Sequence, residues 1–307
     1  MRFTQDHVDQ WREDGFCVLE NFFTPEEYEP VLADFEDIYR DVAQPEEQAM
    51  KRMLKGGDDV DLNRATQFQN IHSLPYNASV EMNLISLHPQ LIAFARALLG
   101  APHVHCYQSH TWAKFTGQAD YNQDFHCDFG NHTLTVPADD PVDRAVDFIF
   151  YLTDVTKEHG ALRYVTKPDV KKALGRPALA APTEEEQAAL LKFEQVVEVP
   201  AGSLVAHGID TMHRGANLTV ANARRFSMTV GYKTAGNDNI GYNVWQTGAN
   251  KPWELILNNA TAEQLSMLGI PEPGDPYWSL RTLKLTQARW PGWDMGQYFE
   301  RATGLSD

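Results

Sequence analysis

The sequence predicts a mainly β fold with flanking helices, of the β-sandwich or jelly-roll barrel type. Three observations carry this expectation. From residue 103 to residue 233, short runs rich in Val, Ile, Phe, Tyr and Trp recur between turns containing Gly and Pro. One of them, Ala145 to Val155, is centred on Phe148-Ile149-Phe150-Tyr151-Leu152, as befits a strand buried on both faces. On either side of this stretch the apolar residues take up helical spacing, so helices should flank the sheets.

Residues 4 to 14 read as a short helix with Thr4 as N-cap and Gly15 as stop, followed by a strand from Phe16 to Phe23. Thr24-Pro25-Glu26-Glu27 is a strong helix start, with an N-cap, Pro at N1 and Glu at N3. Tyr28, Val31, Leu32, Phe35, Ile38 and Tyr39 then give that helix a packing face. Residues 50 to 75 are polar and irregular, either a surface loop or part of a substrate lid. Met82 to Leu99 is expected to be helical, ending at Gly100.

Val104 to Phe115 is a long strand with Val104, Cys106, Gln108, His110, Trp112 and Lys114 on one face, either lining a pocket or exposed. Further strands are expected at Phe125 to Phe129, Gly160 to Val165, Val196 to Val199, Leu204 to His207 and Arg225 to Tyr232. Residues 166 to 193 read as an insertion broken by Pro168, Gly175, Pro177 and Pro182, with Thr183 capping a short helix through Leu191. From Lys251 the tail is helical and looped, with a capping box at Thr261 and Gln264. Trp245, Trp253, Trp278, Trp290 and Trp293 should seal the edge of a core. The organisation expected is one domain over residues 1–307: an N-terminal support (1–102), a jelly-roll core (103–233) and a helical tail (234–307).

A hydrophobic fraction of 43% is ample for a packed core, and a net charge of -16 argues against nucleic acid or an anionic membrane as main partner. Cys17, Cys106 and Cys127 leave an odd count without a Cys-x-x-Cys pair, which fits reduced thiols. No basic region followed by an apolar run opens the chain, so a cytoplasmic protein acting on a small molecule is expected.

The chemistry centres on Asp124-Phe125-His126-Cys127-Asp128-Phe129. If this segment is extended, His126 and Asp128 project from one face while Cys127 points away. One more imidazole completes two His and one carboxylate, the facial triad of non-haem Fe(II) oxygenases, which leaves half the metal's coordination sphere open. With 11 His in the chain, on the order of one His-x-Asp arises by chance, and His7-Val8-Asp9 is such a copy. It lies in a helical segment, where i and i+2 diverge around the axis and cannot share a metal. For the third ligand, His207 and His213 compete, and periodicity does not separate them. The basic pair Arg224-Arg225 downstream favours His213, because a bidentate oxo-acid on the metal needs a cation at its far carboxylate and the planar Arg fork suits it.

Taken together, these motifs resemble the phytanoyl-CoA dioxygenase family of Fe(II)- and 2-oxoglutarate-dependent oxygenases. The resemblance runs through Gly15-Phe16-Cys17-Val18-Leu19, His126-Cys127-Asp128, Glu158-His159-Gly160-Ala161-Leu162, Gly202-Ser203-Leu204, His213-Arg214-Gly215, Asn217 and Arg225 to Tyr232. It implies a double-stranded β-helix (a cupin-like jelly roll), Fe(II), 2-oxoglutarate and O2 as cofactors, and His126, Asp128 and His213 as metal ligands. Counting forward from His213 by the family's spacing puts the cosubstrate cation at Arg224, whereas aligning back from Tyr232 puts it at Arg225. Arg225 is preferred, because strand pairing fixes which face a residue takes. Similarity to the ectoine hydroxylase branch makes Gln108, His110 and Trp112 candidates for cosubstrate or substrate contact. The sequence departs from the family at Gly215, where Ser or Thr is common, and at Lys167-Pro168-Asp169, which replaces Gly-Ser-His.

The activity so implied is hydroxylation of an unactivated C–H bond with release of succinate and CO2. The intact Asp128 speaks against halogenation, whose known practitioners replace that carboxylate. The substrate expected is a small polar metabolite, amino-acid derivative or natural-product intermediate rather than an acyl-CoA. The same three ligands also suit a cupin-like isomerase or hydrolase using Zn or Mn as a Lewis acid, or a non-catalytic small-molecule binder.

Overall fold

The structure is a computed structural model and describes residues 1–40, 71–116, 122–133, 140–177, 182–242 and 251–302. Helix α1 (Gln5–Asp14) stops where Gly15 takes a left-handed φ of 89°, and the chain enters strand β1 (Phe16–Leu19). Helix α2 (Pro25–Ile38) starts at the expected Thr24 capping box. The long helix expected from Met82 is divided. The chain forms α3 (Val80–Leu84), a 3-10 turn (Ile85–Leu87) and α4 (Pro89–Leu99), because Pro89 cannot continue a helix but opens one well. Strand β2 (Val104–Phe115) follows. Of the candidate lid segment, residues 50–70 lie outside the described residues.

The next stretch departs from expectation. Phe125 to Phe129 is not a strand: only His126 pairs, in an isolated antiparallel bridge to His213, and Asp128 already has helical dihedrals at the head of α5 (Phe129–His132). Strand β3 (Ala145–Tyr151), the two-residue β4 (Arg163–Tyr164), β5 (Gln195–Val196), β6 (Leu204–Gly208), β7 (His213–Arg214) and β8 (Arg224–Thr234) complete the sheets. Within the insertion, α6 (Lys167–Leu174) is a helix that Pro168 begins rather than breaks, with Thr166 as its cap. Helix α7 (Glu184–Leu190) has the predicted Thr183 cap. The tail holds α8 (Trp253–Leu257), α9 (Ala262–Ser266), α10 (Leu280–Arg289) and α11 (Gly296–Arg301). Trp253, Trp278 and Trp293 are buried in the main core and Trp290 packs on it, while Trp245 lies outside the described residues.

Two antiparallel sheets form a jelly roll of the double-stranded β-helix type: a five-stranded sheet of order β1-β6-β3-β8-β2 and a three-stranded one of order β5-β4-β7. The large sheet's two faces differ in chemistry. Phe148, Phe150, Leu204, Ala206, Phe226, Met228, Val230 and Tyr232 point outward into a core shared with α2, α4 and the C-terminal helices. The alternate residues point inward and lie in rows set by strand register. Gln108, Gly231, Asp147 and His207 form one row; His110, Thr229, Ile149 and Val205 the next; then Trp112, Ser227 and Tyr151; then Lys114 and Arg225. Successive side chains on one strand alternate faces, so each row stays on the inner side.

A β-bulge at Tyr107 decides what β2 contributes. The pairing skips from Cys106–Tyr232 to Gln108–Gly231, so Val104 and Cys106 belong to the outer core whereas Gln108, His110 and Trp112 face inward. The single face expected for Val104 to Lys114 is therefore two faces joined by the bulge.

Candidate metal centre

The inner rows border a cavity of about 210 Å³, lined among others by Gln108, His110, Trp112, His126, Asp128, Asp147, His207, His213 and Arg225. A larger one, about 530 Å³, lies among the C-terminal helices behind Trp253, Trp278, Trp290 and Trp293. Both groups of possible metal ligands among the described residues, His126-Asp128-His213 and Asp128-Asp147-His207, belong to the smaller cavity. The chemistry is there.

His126 and His213 face each other because their backbones exchange two hydrogen bonds, 2.9 and 3.0 Å long, and their rings lie 4.6 Å apart. Each imidazole is fixed from behind: His126 Nδ1 contacts the Asp124 carbonyl at 2.8 Å and His213 Nδ1 the Thr211 carbonyl at 3.0 Å. A carbonyl only accepts, so each Nδ1 carries a hydrogen, which makes Nε2 the nitrogen turned towards Asp128 and open to a metal. Those Nε2 atoms stand 3.9 and 3.6 Å from the Asp128 carboxylate. Both separations are under twice a metal–ligand bond of about 2.1 Å, so one ion can bridge them. Cys127 points away, donating to the Asp210 carbonyl and packing with Phe125, Val165 and Met212.

Burial alone would push the Asp128 carboxyl up, but the facing His213 and His207 outweigh it and hold it well below the usual carboxylate range. Burial pushes His213 down to about 3 against the pull of Asp128. The donor set is thus a carboxylate and a neutral imidazole, the forms a metal takes.

The two histidines that compete in the sequence are separated by the structure. His207 is not grouped with His126; its Nε2 lies 3.1 Å from Asp128 Oδ2 and its Nδ1 3.1 Å from the Tyr164 hydroxyl. It braces the carboxylate from behind. Arg225 and Arg224 separate as cleanly. Arg225 is buried at the far end of the cavity, where Nη1 donates to the Gly160 carbonyl and Nε has no partner. Arg224 is exposed, paired with Glu36 and stacked on Phe226. Lys114, opposite Arg225 in register, donates to the Ala216 carbonyl and is held well below its ordinary value by burial and by Arg225. Gln108, His110 and Trp112 all line the cavity; desolvation brings His110 down to about 4, and Trp112 Nε1 donates to Thr229.

Gly215 also finds its reason. A Cβ there would meet Gln123 Oε1 at 2.5 Å, the same oxygen that accepts from the Gly215 N–H. A Ser or Thr there would have to displace the side-chain amide of Gln123 and give up its hydrogen bond to the Gly215 N–H.

A family model for phytanoyl-CoA dioxygenase (PhyH) matches residues 11–226. The chain belongs to the phytanoyl-CoA dioxygenase family. With that membership comes its class, a non-haem iron dioxygenase that depends on 2-oxoglutarate and uses Fe(II) and O2. Among curated relatives in the family, the ectoine dioxygenase of Bordetella parapertussis is 27% identical over 251 residues, 76% of this chain and 76% of that protein. In fold, the chain is similar to EctD from S. alaskensis, solved with 2-oxoglutarate and 5-hydroxyectoine, at a TM-score of 0.58 and 18% identity over 77% of this chain and 78% of that one. It is likewise similar to SnoK, a non-haem α-ketoglutarate-dependent carbocyclase of nogalamycin biosynthesis, at a TM-score of 0.54 and 20% identity over 76% and 85% of the two chains. The isomerase, hydrolase and pure-binder readings of the triad give way to the dioxygenase class.

Proposed function

We propose that the protein hydroxylates an unactivated C–H bond of a small polar metabolite or natural-product intermediate, with His126, Asp128 and His213 as the iron ligands and Arg225 as the anchor of 2-oxoglutarate. The observation that carries this is the pair of imidazoles locked with Nε2 forward beside Asp128, at one end of a cavity that has a buried, incompletely partnered Arg225 at the other. The donor chemistry fits iron(II), two neutral imidazoles and one carboxylate that leave one side of the metal open. When bound, the iron and 2-oxoglutarate supply the oxidising chemistry, coupled to release of succinate and CO2.

The chain's own part is placement. Arg225 would hold the far carboxylate of 2-oxoglutarate through charge-assisted hydrogen bonds. Trp112 and the inner side chains of β3 and β8 line the cavity and would screen the cosubstrate from water. Gln108 and His110 face the space left for substrate. A cytoplasmic setting and a single functional domain over residues 1–307 complete the reading; no helix among the described residues is long and apolar enough to cross a membrane.

The test is anaerobic titration of the metal-free protein with Fe(II) and then 2-oxoglutarate. A weak visible charge-transfer band should appear, vanish in Asp128→Ala, and be followed in air by succinate. A wild-type protein that gives no band would sink the reading. A panel of small metabolites screened for substrate-stimulated succinate, with product mass raised by one oxygen, tests hydroxylation itself.

A further inference from the structure

Asp147 is the one carboxylate in the apolar run of β3, and nothing in the proposed iron or 2-oxoglutarate chemistry uses it. It is 1% exposed and lines the cavity. Its Oδ1 is fully engaged, accepting from the Tyr107 hydroxyl at 2.8 Å and from Gln108 Nε2 at 2.8 Å. Its Oδ2 is buried and accepts nothing. The nearest cationic candidate, His132 Nδ1, stands 3.7 Å from Oδ2, outside hydrogen-bond reach, and contacts the Tyr107 hydroxyl at 3.0 Å instead.

This arrangement is built by the fold. The bulge in β2 turns Tyr107 and Gln108 to the same side, so both reach one oxygen. Between them and Asp147 lies Gly231 of β8, where a Cβ would sit 2.6 Å from Asp147 Oδ1, Gln108 Cγ and Tyr107 Cε1. A buried carboxylate with one satisfied and one open oxygen is costly unless something binds the open one.

Charge says what. Asp128 and the two carboxylates of 2-oxoglutarate would have iron(II) and Arg225 as their cationic partners, and neither of these is paired with the open oxygen of Asp147. Asp147 is a further carboxylate beside the metal ligands, one of its oxygens lying within 4.8 Å of ligand atoms of Asp128 and His207. Arg225 and Lys114 are at the other end, so neither reaches it: β8 runs six residues from Arg225 to Gly231, about 20 Å of strand. We propose that Asp147, held by Tyr107 and Gln108, binds a cationic hydrogen-bond donor of the substrate, a protonated amine or an amidinium, and so selects cationic or zwitterionic small molecules. A second metal ion fits the cluster less well. Both nitrogens of His207 are engaged, with Tyr164 and Asp128, and Asp147 has one oxygen left to give.

The inference rests on the dioxygenase reading of the same cavity, and one experiment separates the two. The anaerobic Fe(II)–2-oxoglutarate protein is titrated with acetamidinium and with acetamide, which have the same shape and differ in charge. The charge-transfer band reads their binding. Acetamidinium should perturb the band with a Kd lower by about tenfold or more, the step from a neutral to a charge-assisted hydrogen bond. Asp147→Asn should lose that preference while still forming the band. Equal binding of the two probes by the wild-type protein, which needs no variant to fold, overturns the inference and leaves the dioxygenase reading standing. So does a preference that survives in Asp147→Asn. Two irons per wild-type chain falling to one in Asp147→Asn overturns it in favour of a second metal. Absence of any band in the wild-type protein removes both readings together.

Discussion

At the scale of single residues, the centre depends on what stands behind each ligand as much as on the ligands. The carbonyls of Asp124 and Thr211 set the tautomers of His126 and His213, and His207 holds Asp128. Removing such a support typically weakens a metal site by about 10- to 100-fold. His207→Phe, which keeps the ring volume, should therefore lower Fe(II) affinity by about that factor in a chelator competition, with the triad intact; unchanged affinity would mean His207 only fills space. Arg225→Ala should raise the 2-oxoglutarate Kd by about 10- to 100-fold, the loss of charge-assisted hydrogen bonds worth roughly 1.5–3 kcal/mol, whereas Arg224→Ala should leave it unchanged. The same effect from both variants would contradict their placement. The grouping of His126 with Asp128 was legible as a candidate in the sequence, because an His-x-Asp between aromatic residues contrasts with a helical copy at His7. Periodicity did not separate His207 from His213, and only the basic pair downstream favoured His213, because which side each occupies is set by strand pairing, with His207 in β6 and His213 at the start of β7. Asp147 was hidden inside an apolar run, where nothing local marks a carboxylate whose partners come from other strands.

At the scale of elements, local signals were read well and their joins less so. Caps at Thr24, Thr183 and Thr261 all hold, because capping depends on residues three apart. The bulge at Tyr107 and the bend after His126 were illegible, because each is imposed by a partner distant in sequence, Gly231 in one case and His213 in the other. One join carries a testable charge. Glu27, third residue of α2, accepts from the Thr24 N–H, pairs with Arg2 at 2.6 Å and lies 3.1 Å from His88, the N-cap of α4. The hydrogen bond from Arg2 leads in lowering its carboxyl to about 2, against the opposing effect of burial. A depressed carboxylate contributes stability above its unfolded pKa, and that contribution fades as pH falls towards the folded value. Glu27→Gln should thus cost about 1–2 kcal/mol in urea unfolding at pH 7, allowing for partial exposure, and less than half of that at pH 3. A difference that does not change with pH would show that Glu27 acts by packing alone.

At the scale of the whole molecule, the fold class was readable because strand and helix periodicities segregate along the chain, whereas the strand order β1-β6-β3-β8-β2 is set by long-range pairing that no window of sequence contains. That topology joins parts of the chain far apart at the candidate metal site. His126 and Asp128 come from the segment between β2 and β3, His213 from β7 in the smaller sheet, and His207 from β6 in the larger one. An ion bound by the triad would therefore tie the smaller sheet to the intervening segment directly, and the larger sheet through the contact of His207 with Asp128, whereas the unfolded chain offers no such preformed site. Binding to the native form alone stabilises it by RT ln(1 + [L]/Kd), about 2.7 kcal/mol at a hundredfold excess over Kd. For a chain of this length that corresponds to a rise in Tm of roughly 4 °C. Fe(II) under nitrogen should produce that rise in the wild-type protein, and 2-oxoglutarate should add to it only when the metal is present, because Arg225 holds one end of the oxo-acid and the metal the other. Asp128→Ala should lose both increments and Arg225→Ala only the second. A full 2-oxoglutarate increment without metal, or an Fe(II) increment that survives Asp128→Ala, would place the binding energy somewhere other than this cavity.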